Sequence, residues 1–220
     1  DAVILTTTSH LENIKSQIEE CLEAGLNVVS TCEELTYPWI RHPEIASSID
    51  RKAKVQGVTV VGTGINPGFL MDTLPAILTG PCLSVDSIKV TRMMDSFRRR
   101  VPFQKKVGTA LSRAEFRRQF ENGVITGHVG LLESINMIAA ALDWKLDELV
   151  ELPPKPVLAE TKTETALGVV PAGDVIGLSS VAFAKRNGRE VIRLEFVANA
   201  SAKDEYDEII IEGRPRIHQR

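Results

Sequence analysis

The sequence lacks the cysteine spacing, the charge bias and the long apolar runs that mark several large protein classes. Its three cysteines are odd in number and show no C-x-x-C spacing, so neither a disulfide framework nor a metal site is predicted. A formal net charge of −3 over 220 residues argues against nucleic-acid or anionic-membrane partners. No apolar run approaches the ~18 residues of a membrane span. These features predict a protein of the reducing cytoplasm.

A second absence concerns phosphate binding, because neither G-x-G-x-x-G nor a P-loop occurs in the chain. Residues 1–68 nevertheless follow the order β-α-β-α-β, with strands at 2–5, 26–31 and 58–64. That order with short loops predicts a doubly wound, Rossmann-like parallel sheet. Three strands without a phosphate-binding unit indicate the C-terminal half of a dinucleotide-binding domain. We therefore expect the chain to be part of a longer polypeptide.

Two local patterns in this first part make specific predictions. Ser9 followed by Glu12 predicts a capping box that opens the first helix. The continuous apolar run 2–5 is typical of a parallel strand with both faces buried.

Residues 69–220 are predicted to form an α+β domain with a mixed sheet. We expect a helix over 69–78, a strand over about 84–94, a loop over 95–111 and a helix capped by Ser112. A helix stripe of Leu131, Ile135, Ile138 and Leu142 follows. Apolar runs from residue 157 onward predict strands, two of them joined by an Asn-Gly hairpin at 187–188. The apolar character of both faces of these strands predicts a homodimer through the sheet.

Candidate site residues lie where the parallel strands end, since ligands bind at the carboxyl ends of such strands. Thr6, Thr7 and Thr8 follow the first strand and are candidates for cofactor contacts. Glu33 or Glu34 after the second strand is a candidate for the nicotinamide ribose. Cys32 has no histidine placed to activate it, so we expect an inert thiol.

Two further candidates come from sequence context. His128 stands between two glycines just before a helix, and Glu133 follows one turn into that helix. We predict both as catalytic candidates, with Glu133 pairing either with His128 or with a substrate amine. His10 is a weaker candidate at a strand end, and His42 and His218 are expected on the surface.

Several motifs together resemble one family. "AVILTTTS", "NVVSTCEEL", "GTGINPGFLMD", "RRRVPFQKKVG", "GHVGLLES" and "IIIEGRPRIH" are similar to the 2,4-diaminopentanoate dehydrogenases, within the dihydrodipicolinate-reductase-like NAD(P) oxidoreductases. The resemblance implies a longer chain at both ends, with the Gly-rich phosphate loop upstream. It also implies that the loop after the third strand runs under the nicotinamide ring and crosses to the substrate domain. The implied cofactor-binding residues in that loop are Gly62, Thr63, Gly64, Asn66, Pro67 and Gly68.

The resemblance implies substrate contacts in the second part as well. In related dihydrodipicolinate reductases, a Gly and a Thr hold a substrate carboxylate, and Gly108 and Thr109 occupy those positions here. Where those reductases carry histidines and a lysine, this chain has Asp95 and Arg98. An anion such as Asp95 suits a substrate with two ammonium groups, and Asn66 is a further candidate substrate contact.

The implied function is NAD(P)-dependent oxidative deamination of a small diamino acid, with 2,4-diaminopentanoate giving 2-amino-4-oxopentanoate and ammonia. NAD and NADP remain alternatives, because the residue that reads the ribose lies upstream. Two other functions stay open. One is a non-catalytic substrate-binding and dimerisation module, and the other is a reductase of another substrate.

Overall fold

The structure is a computed structural model that describes residues 1–220. Its backbone divides into two compact units, the first made of residues 1–81 with 129–147 and the second of residues 82–128 with 148–220. The predicted division of the longer protein after residue 68 stays a prediction. No helix is long and apolar enough to cross a membrane.

The chain contains six α-helices and twelve strands. The helices are α1 Leu11–Glu23, α2 Pro43–Gln56, α3 Thr73–Leu78, α4 Val101–Lys106, α5 Arg113–Glu121 and α6 Leu131–Ala141. The strands are β1 Ala2–Leu5, β2 Asn27–Ser30, β3 Val60–Gly62, β4 Ser84–Asp95, β5 Glu148–Glu151, β6 Lys155–Leu158, β7 Thr163–Thr165, β8 Gly168–Val170, β9 Val175–Arg186, β10 Arg189–Asn199, β11 Tyr206–Arg214 and β12 Ile217–Gln219.

The first unit contains a three-stranded parallel sheet in the order β1-β2-β3. Its core lies between α1, α2 and one face of this sheet, where Ile14, Ile18 and Val28 are fully buried. On the opposite face Ile4 is 73% exposed and pairs in register with Val29. Within these 220 residues helices cover one face of the sheet only, and burial of the second face in the longer protein stays a prediction.

The start of α1 also differs from the prediction. His10, not Ser9, is the N-cap residue, and neither side chain caps the helix. The N–H of Leu11 instead donates to Glu34 Oε2 at 2.8 Å. A carboxylate from another part of the chain therefore accepts from the free backbone N–H that a local cap residue would otherwise bind.

The second unit is built on a seven-stranded mixed sheet. The strand order is β12-β11-β4-β10-β9-β5, and β6 also pairs with β9. Only the β4–β10 pair is parallel, and the β9–β10 hairpin turns at Asn187 and Gly188, both with positive φ. The α/β plus α+β fold class is thus confirmed, as is the hairpin.

Two helices differ from the predicted boundaries. α3 begins at Thr73 rather than Phe69, because Asp72 accepts the Thr73 N–H at 2.5 Å and sets the start there. The predicted loop 95–111 contains α4, whose Pro102 lies in the first turn, where the missing N–H costs nothing. Ser112 does cap α5, accepting the Glu115 N–H at 3.2 Å as predicted.

Candidate functional site

The carboxyl edge of the parallel sheet brings together the loops that follow its three strands. The strand ladder continues into them, with Thr31 N donating to Leu5 O at 3.1 Å and Thr63 N donating to Ser30 O at 2.8 Å. Thr7 donates to Gln17 and Thr8 accepts from the His10 N–H, whereas the exposed Thr6 makes neither kind of bond. Thr6 is therefore the threonine whose hydroxyl is available at this edge.

The two adjacent glutamates have different environments. Glu34 is buried and accepts from the Leu11 N–H. His10 Nδ1 lies 3.0 Å from Glu34 Oε1, and His42 Nε2 lies 3.0 Å from Glu34 Oε2. Burial alone raises the pKa of Glu34, but the bonds from His10 and Leu11 outweigh it and hold the pKa below its usual value. His42 was expected on the surface, but it is half-buried and contacts Glu34.

Glu33 has no such partners and lies beside the third loop. Its Cβ and the ring of Pro67 both approach Gly130, where an added Cβ would overlap Pro67 Cγ. Between the glutamates and β2, Cys32 is fully buried, and burial raises the pKa of its thiol to about 11. That thiol is protonated at neutral pH, which fits the expectation of an inert cysteine.

The loop 62–68 requires glycine because other parts of the chain's own backbone approach it closely. A Cβ on Gly62 would overlap the Leu35 carbonyl oxygen, and one on Gly68, which has φ +120°, would overlap Gly64 N. The close approach that excludes a side chain is made by the chain's own backbone. Cofactor contact by these glycines stays a prediction.

Asn66 is the unusual side chain of this loop. Both its Oδ1 and its Nδ2 are buried and have no hydrogen-bond partner within the chain. A buried amide without partners is costly, so each such group calls for an explanation, and an outside ligand is one.

A residue that sequence reasoning missed holds the loop in place. Asp72 is fully buried and accepts from Gly68 N and Ser134 Oγ, each at 2.8 Å, and also from Thr73. Ser134 lies on α6, so one carboxylate joins the loop to that helix. On the same helix, Glu133 is fully buried and its Oε1 lies 2.8 Å from Arg41 Nε. The partner of Glu133 here is Arg41.

In the second unit, Asp95 ends β4 and organises the turn that follows. Its Oδ1 accepts the Phe97 N–H at 2.9 Å, and its Oδ2 lies 3.4 Å from Nε of the mostly exposed Arg98. The buried Gln104, also missed from sequence, donates to the carbonyls of Phe97 and Arg99 and closes the turn.

Gly108 and Thr109 follow the C-cap of α4, which is Val107. The Gly108 N–H donates to Lys105 O and the Thr109 N–H to Gln104 O, each at 3.0 Å. Both backbone donors are thus already used inside the chain. The group that remains is the Thr109 hydroxyl, which is buried and has no partner.

His128 packs on one face of the mixed sheet. Its ring stacks on Phe196 with centroids 4.4 Å apart, and its ring Nε2 is buried without a partner. Its backbone N–H donates to Ser180 Oγ. Burial, with smaller contributions from Lys106 and Arg92, lowers the pKa of His128 to about 3. The imidazole is therefore neutral at physiological pH.

Arg92 lies in the same row of this sheet and was not among the predicted residues. Strand pairing aligns Arg92 with Phe196 on β10 and with Asp207 on β11. Arg92 Nη1 and Asp207 Oδ1 are buried without hydrogen bonds, and Arg92 Nε lies 3.7 Å from Asp207 Oδ1. Burial raises the pKa of Asp207 despite the opposing effect of Arg92. The sequence did contain a signal for Arg92, because this charged residue continues the alternation of the buried Ile88 and Val90 on one face of β4.

Two groups of predicted residues emerge. Thr6, Glu33, Asn66 and Pro67 belong to the first unit, as does Glu133, whereas Asp95, Arg98, Thr109 and His128 belong to the second. No group of three or more His, Cys, Asp or Glu side chains is arranged to hold a metal ion.

Comparison with known proteins decides the family. The sequence profile of the 2,4-diaminopentanoate dehydrogenase C-terminal domain matches residues 69–220. The chain belongs to the 2,4-diaminopentanoate dehydrogenase family. It is 35% identical to the 2,4-diaminopentanoate dehydrogenase of Acetoanaerobium sticklandii, over 99% of this chain and 63% of that protein. The chain thus spans less than two thirds of that family member's length.

Solved structures share the fold. An amine dehydrogenase from Mycobacterium smegmatis superposes with a TM-score of 0.80 at 23% identity, covering this whole chain and 65% of that one. A biliverdin reductase from Synechocystis, solved with biliverdin and NADP+, gives a TM-score of 0.54 at 14% identity, over 97% of this chain and 57% of that one.

Proposed function

We propose that the longer protein containing this chain catalyses NAD(P)-dependent oxidative deamination of a small diamino acid, 2,4-diaminopentanoate, to 2-amino-4-oxopentanoate and ammonia. Family membership is the observation that carries the proposal, supported by identity across nearly the whole chain. The free cysteines fit a reducing compartment such as the cytoplasm.

The residues at the sheet edge fit a nicotinamide cofactor. The unpartnered amide of Asn66 can both donate to and accept from a carboxamide, and the Thr6 hydroxyl and the Glu33 carboxylate remain for a ribose. When bound, such a cofactor supplies the acceptor for a hydride from the amine-bearing carbon, which leaves an iminium ion for water to hydrolyse. Asp72 keeps the Asn66 loop in one conformation through its bond to Gly68.

The substrate-binding roles are inferred from the half-buried charges and the unpartnered polar groups of the second unit. Asp95 is the carboxylate that suits an ammonium group, and it takes the proton that must leave before hydride transfer. Arg92 and the Thr109 hydroxyl, both with unsatisfied donors, suit the substrate carboxylate. His128, with its pKa lowered to about 3 by burial, contributes a neutral hydrogen-bonding Nε2 rather than a strong base.

Substitution of Asp95 in the longer protein tests this assignment. Asp95→Asn keeps the shape and removes the charge, so kcat/KM for 2,4-diaminopentanoate should fall by about 30- to 1000-fold, roughly 2–4 kcal/mol. The measurement is the initial rate of reduced-nicotinamide formation with NAD+ and with NADP+.

Asp86 supplies a matched control, since it is exposed on the same strand, and Asp86→Asn should stay within about twofold of wild type. A methyl ester of the substrate removes only the carboxylate, and Arg92→Gln should therefore penalise the acid more than the ester. An unchanged rate for Asp95→Asn would remove Asp95 from the site. No turnover by the wild-type longer protein with either cofactor would favour the non-catalytic module, and turnover of other substrates only would favour a different reductase.

A further inference from the structure

The second unit carries a groove that the proposed reaction does not use. It encloses about 410 Å³ between helix α5 and the segment 153–158. Its apolar floor and walls are formed by Phe116, Phe120, Leu158 and the prolines at 153, 154 and 156. This volume lies within the range of small-molecule sites.

One face of α5 supplies four of the nine lining residues. Arg113, Phe116, Arg117 and Phe120 follow the spacing i, i+3, i+4, i+7, so they form a single stripe along the helix. Phe116 is buried in the core against Gly108, whereas Phe120 is half-buried. An aromatic surface therefore remains open beside two cations.

The opposite wall is stiff. Three of the four residues 153–156 are proline, which fixes φ and offers no backbone N–H. Leu158 and Pro156 belong to β6, which is held in the sheet by pairing with β9. This wall of the groove therefore has little backbone freedom.

The charges in the groove all have one sign. Arg113, Arg117 and Lys155 are exposed, make no ion pair, and no acidic residue lines the groove. The adjacent Arg118, on another face of α5, is by contrast paired with Glu115 at 2.8 Å. In a chain with a net charge of −3, this is a local concentration of uncompensated positive charge.

The position of Arg113 gives an independent reason to expect a ligand. Arg113 is the first residue of α5, where the helix dipole disfavours a cation and favours an anion. A residue that opposes local stability at the mouth of a groove is typical of a functional position. An anion bound there would relieve the repulsion.

We propose that this groove binds a small amphipathic anion, a carboxylate with an aromatic or aliphatic body. The carboxylate lies among Arg113, Arg117 and Lys155, and the body packs on Phe120 and the prolines. The proposal does not rest on the dehydrogenase activity.

The test compares three probes with the same phenylbutyl body on the 220-residue chain: 4-phenylbutyrate, 4-phenylbutylamine and 4-phenylbutanol. Backbone amide NMR titration should show 4-phenylbutyrate shifting signals of α5 and residues 155–158, with a Kd on the order of 1 mM. The amine should bind at least about tenfold more weakly, and the alcohol should lie between them.

Variants separate the groove from other anion sites. Arg113→Gln with Arg117→Gln should weaken 4-phenylbutyrate about tenfold and leave the alcohol unchanged, whereas Phe120→Ala should weaken both. Arg118→Gln is the matched control on the same helix and should change neither. Equal binding of the acid and the amine, or shifts confined to other regions of the chain, would overturn the proposal. So would an equal effect of Arg118→Gln and the double variant. Because the probe comparison uses the unaltered chain, it decides the matter even if a variant folds poorly.

Discussion

At the scale of single residues, the candidate site groups share one property, which is a buried polar atom without a hydrogen-bond partner. The amide of Asn66, the hydroxyl of Thr109, Nε2 of His128 and Nη1 of Arg92 are buried without partners. In most proteins, buried polar atoms of this kind are satisfied. Asp72 and Glu34 show the opposite pattern, since each collects several donors and has a structural role.

His128 leads to a prediction about stability and pH. Its pKa is about 6.5 in the unfolded chain and is lowered to about 3 by burial in the fold. Between these two pKa values the unfolded state binds more protons than the folded state. The contribution of His128 to stability is therefore present above about pH 6.5 and is lost as pH falls toward 3. The size of that loss is at most roughly 5 kcal/mol.

Urea unfolding of the wild type and of His128→Gln at pH 7, 5 and 4 isolates this contribution. The difference between the two free energies of unfolding should shrink or change sign as pH falls, because the variant has no imidazole to charge. All carboxylates are common to both proteins and cancel in the difference. A difference that is constant from pH 7 to pH 4 would mean that His128 titrates normally.

At the scale of elements, distant hydrogen bonds fix the loops that the proposed function needs. Glu34 joins the start of α1 to His42 before α2, and Asp72 joins the 62–68 loop to α6. Asp72 and Ser134 are 62 positions apart in the sequence. Sequence periodicity does not reveal contacts over such a separation.

Removal of either partner in the Asp72–Ser134 bond should destabilise the first unit. Ser134→Ala should cost about 1.5–3 kcal/mol, the usual value of a buried hydrogen bond to a charged group. Asp72→Asn should cost at least as much, because an NH2 group would then face one of the donors.

Urea denaturation measures both, and the double variant should cost less than the sum of the singles because the two lose the same bond. Ser47→Ala is the control, since Ser47 makes an exposed bond to Pro43 O within α2, and it should change stability by less than about 0.5 kcal/mol. Strict additivity of the two changes would contradict the direct coupling.

At the scale of the whole molecule, the regular elements were predictable and the tertiary contacts were not. The apolar runs of β9 and β10 and the Asn187-Gly188 turn identify a hairpin from local patterns alone. Helix α4 was hidden by its charges and by Pro102, which is compatible with a first helical turn. Only the fold shows that the backbone atoms of Leu35 and Gly64 approach the glycines of the 62–68 loop, because these contacts are not encoded in a local pattern.

The predicted homodimer concerns the face of the mixed sheet that carries Val197 and Met93, paired in register and half-buried. Lys89 and Glu195 on the same face form an ion pair, so this surface is less apolar than the sequence suggested. We expect a two-fold dimer through this face, and Val197→Glu should yield a folded monomer by light scattering at micromolar concentration. A monomeric wild type under the same conditions would contradict the prediction.

The 220-residue chain alone should bind NAD+ and NADP+ weakly. A dinucleotide draws much of its affinity from a Gly-rich turn and a helix N-terminus that hold the pyrophosphate, and these residues contain no such motif. The sheet edge offers only groups suited to the nicotinamide and its ribose, among them Asn66 and Glu33. Calorimetric titration should therefore give dissociation constants well above micromolar, and Asn66→Ala should weaken the residual binding further. A tenfold change in affinity corresponds to about 1.4 kcal/mol of binding free energy, which is large for a single amide contact. Micromolar binding would therefore require a phosphate site within these residues.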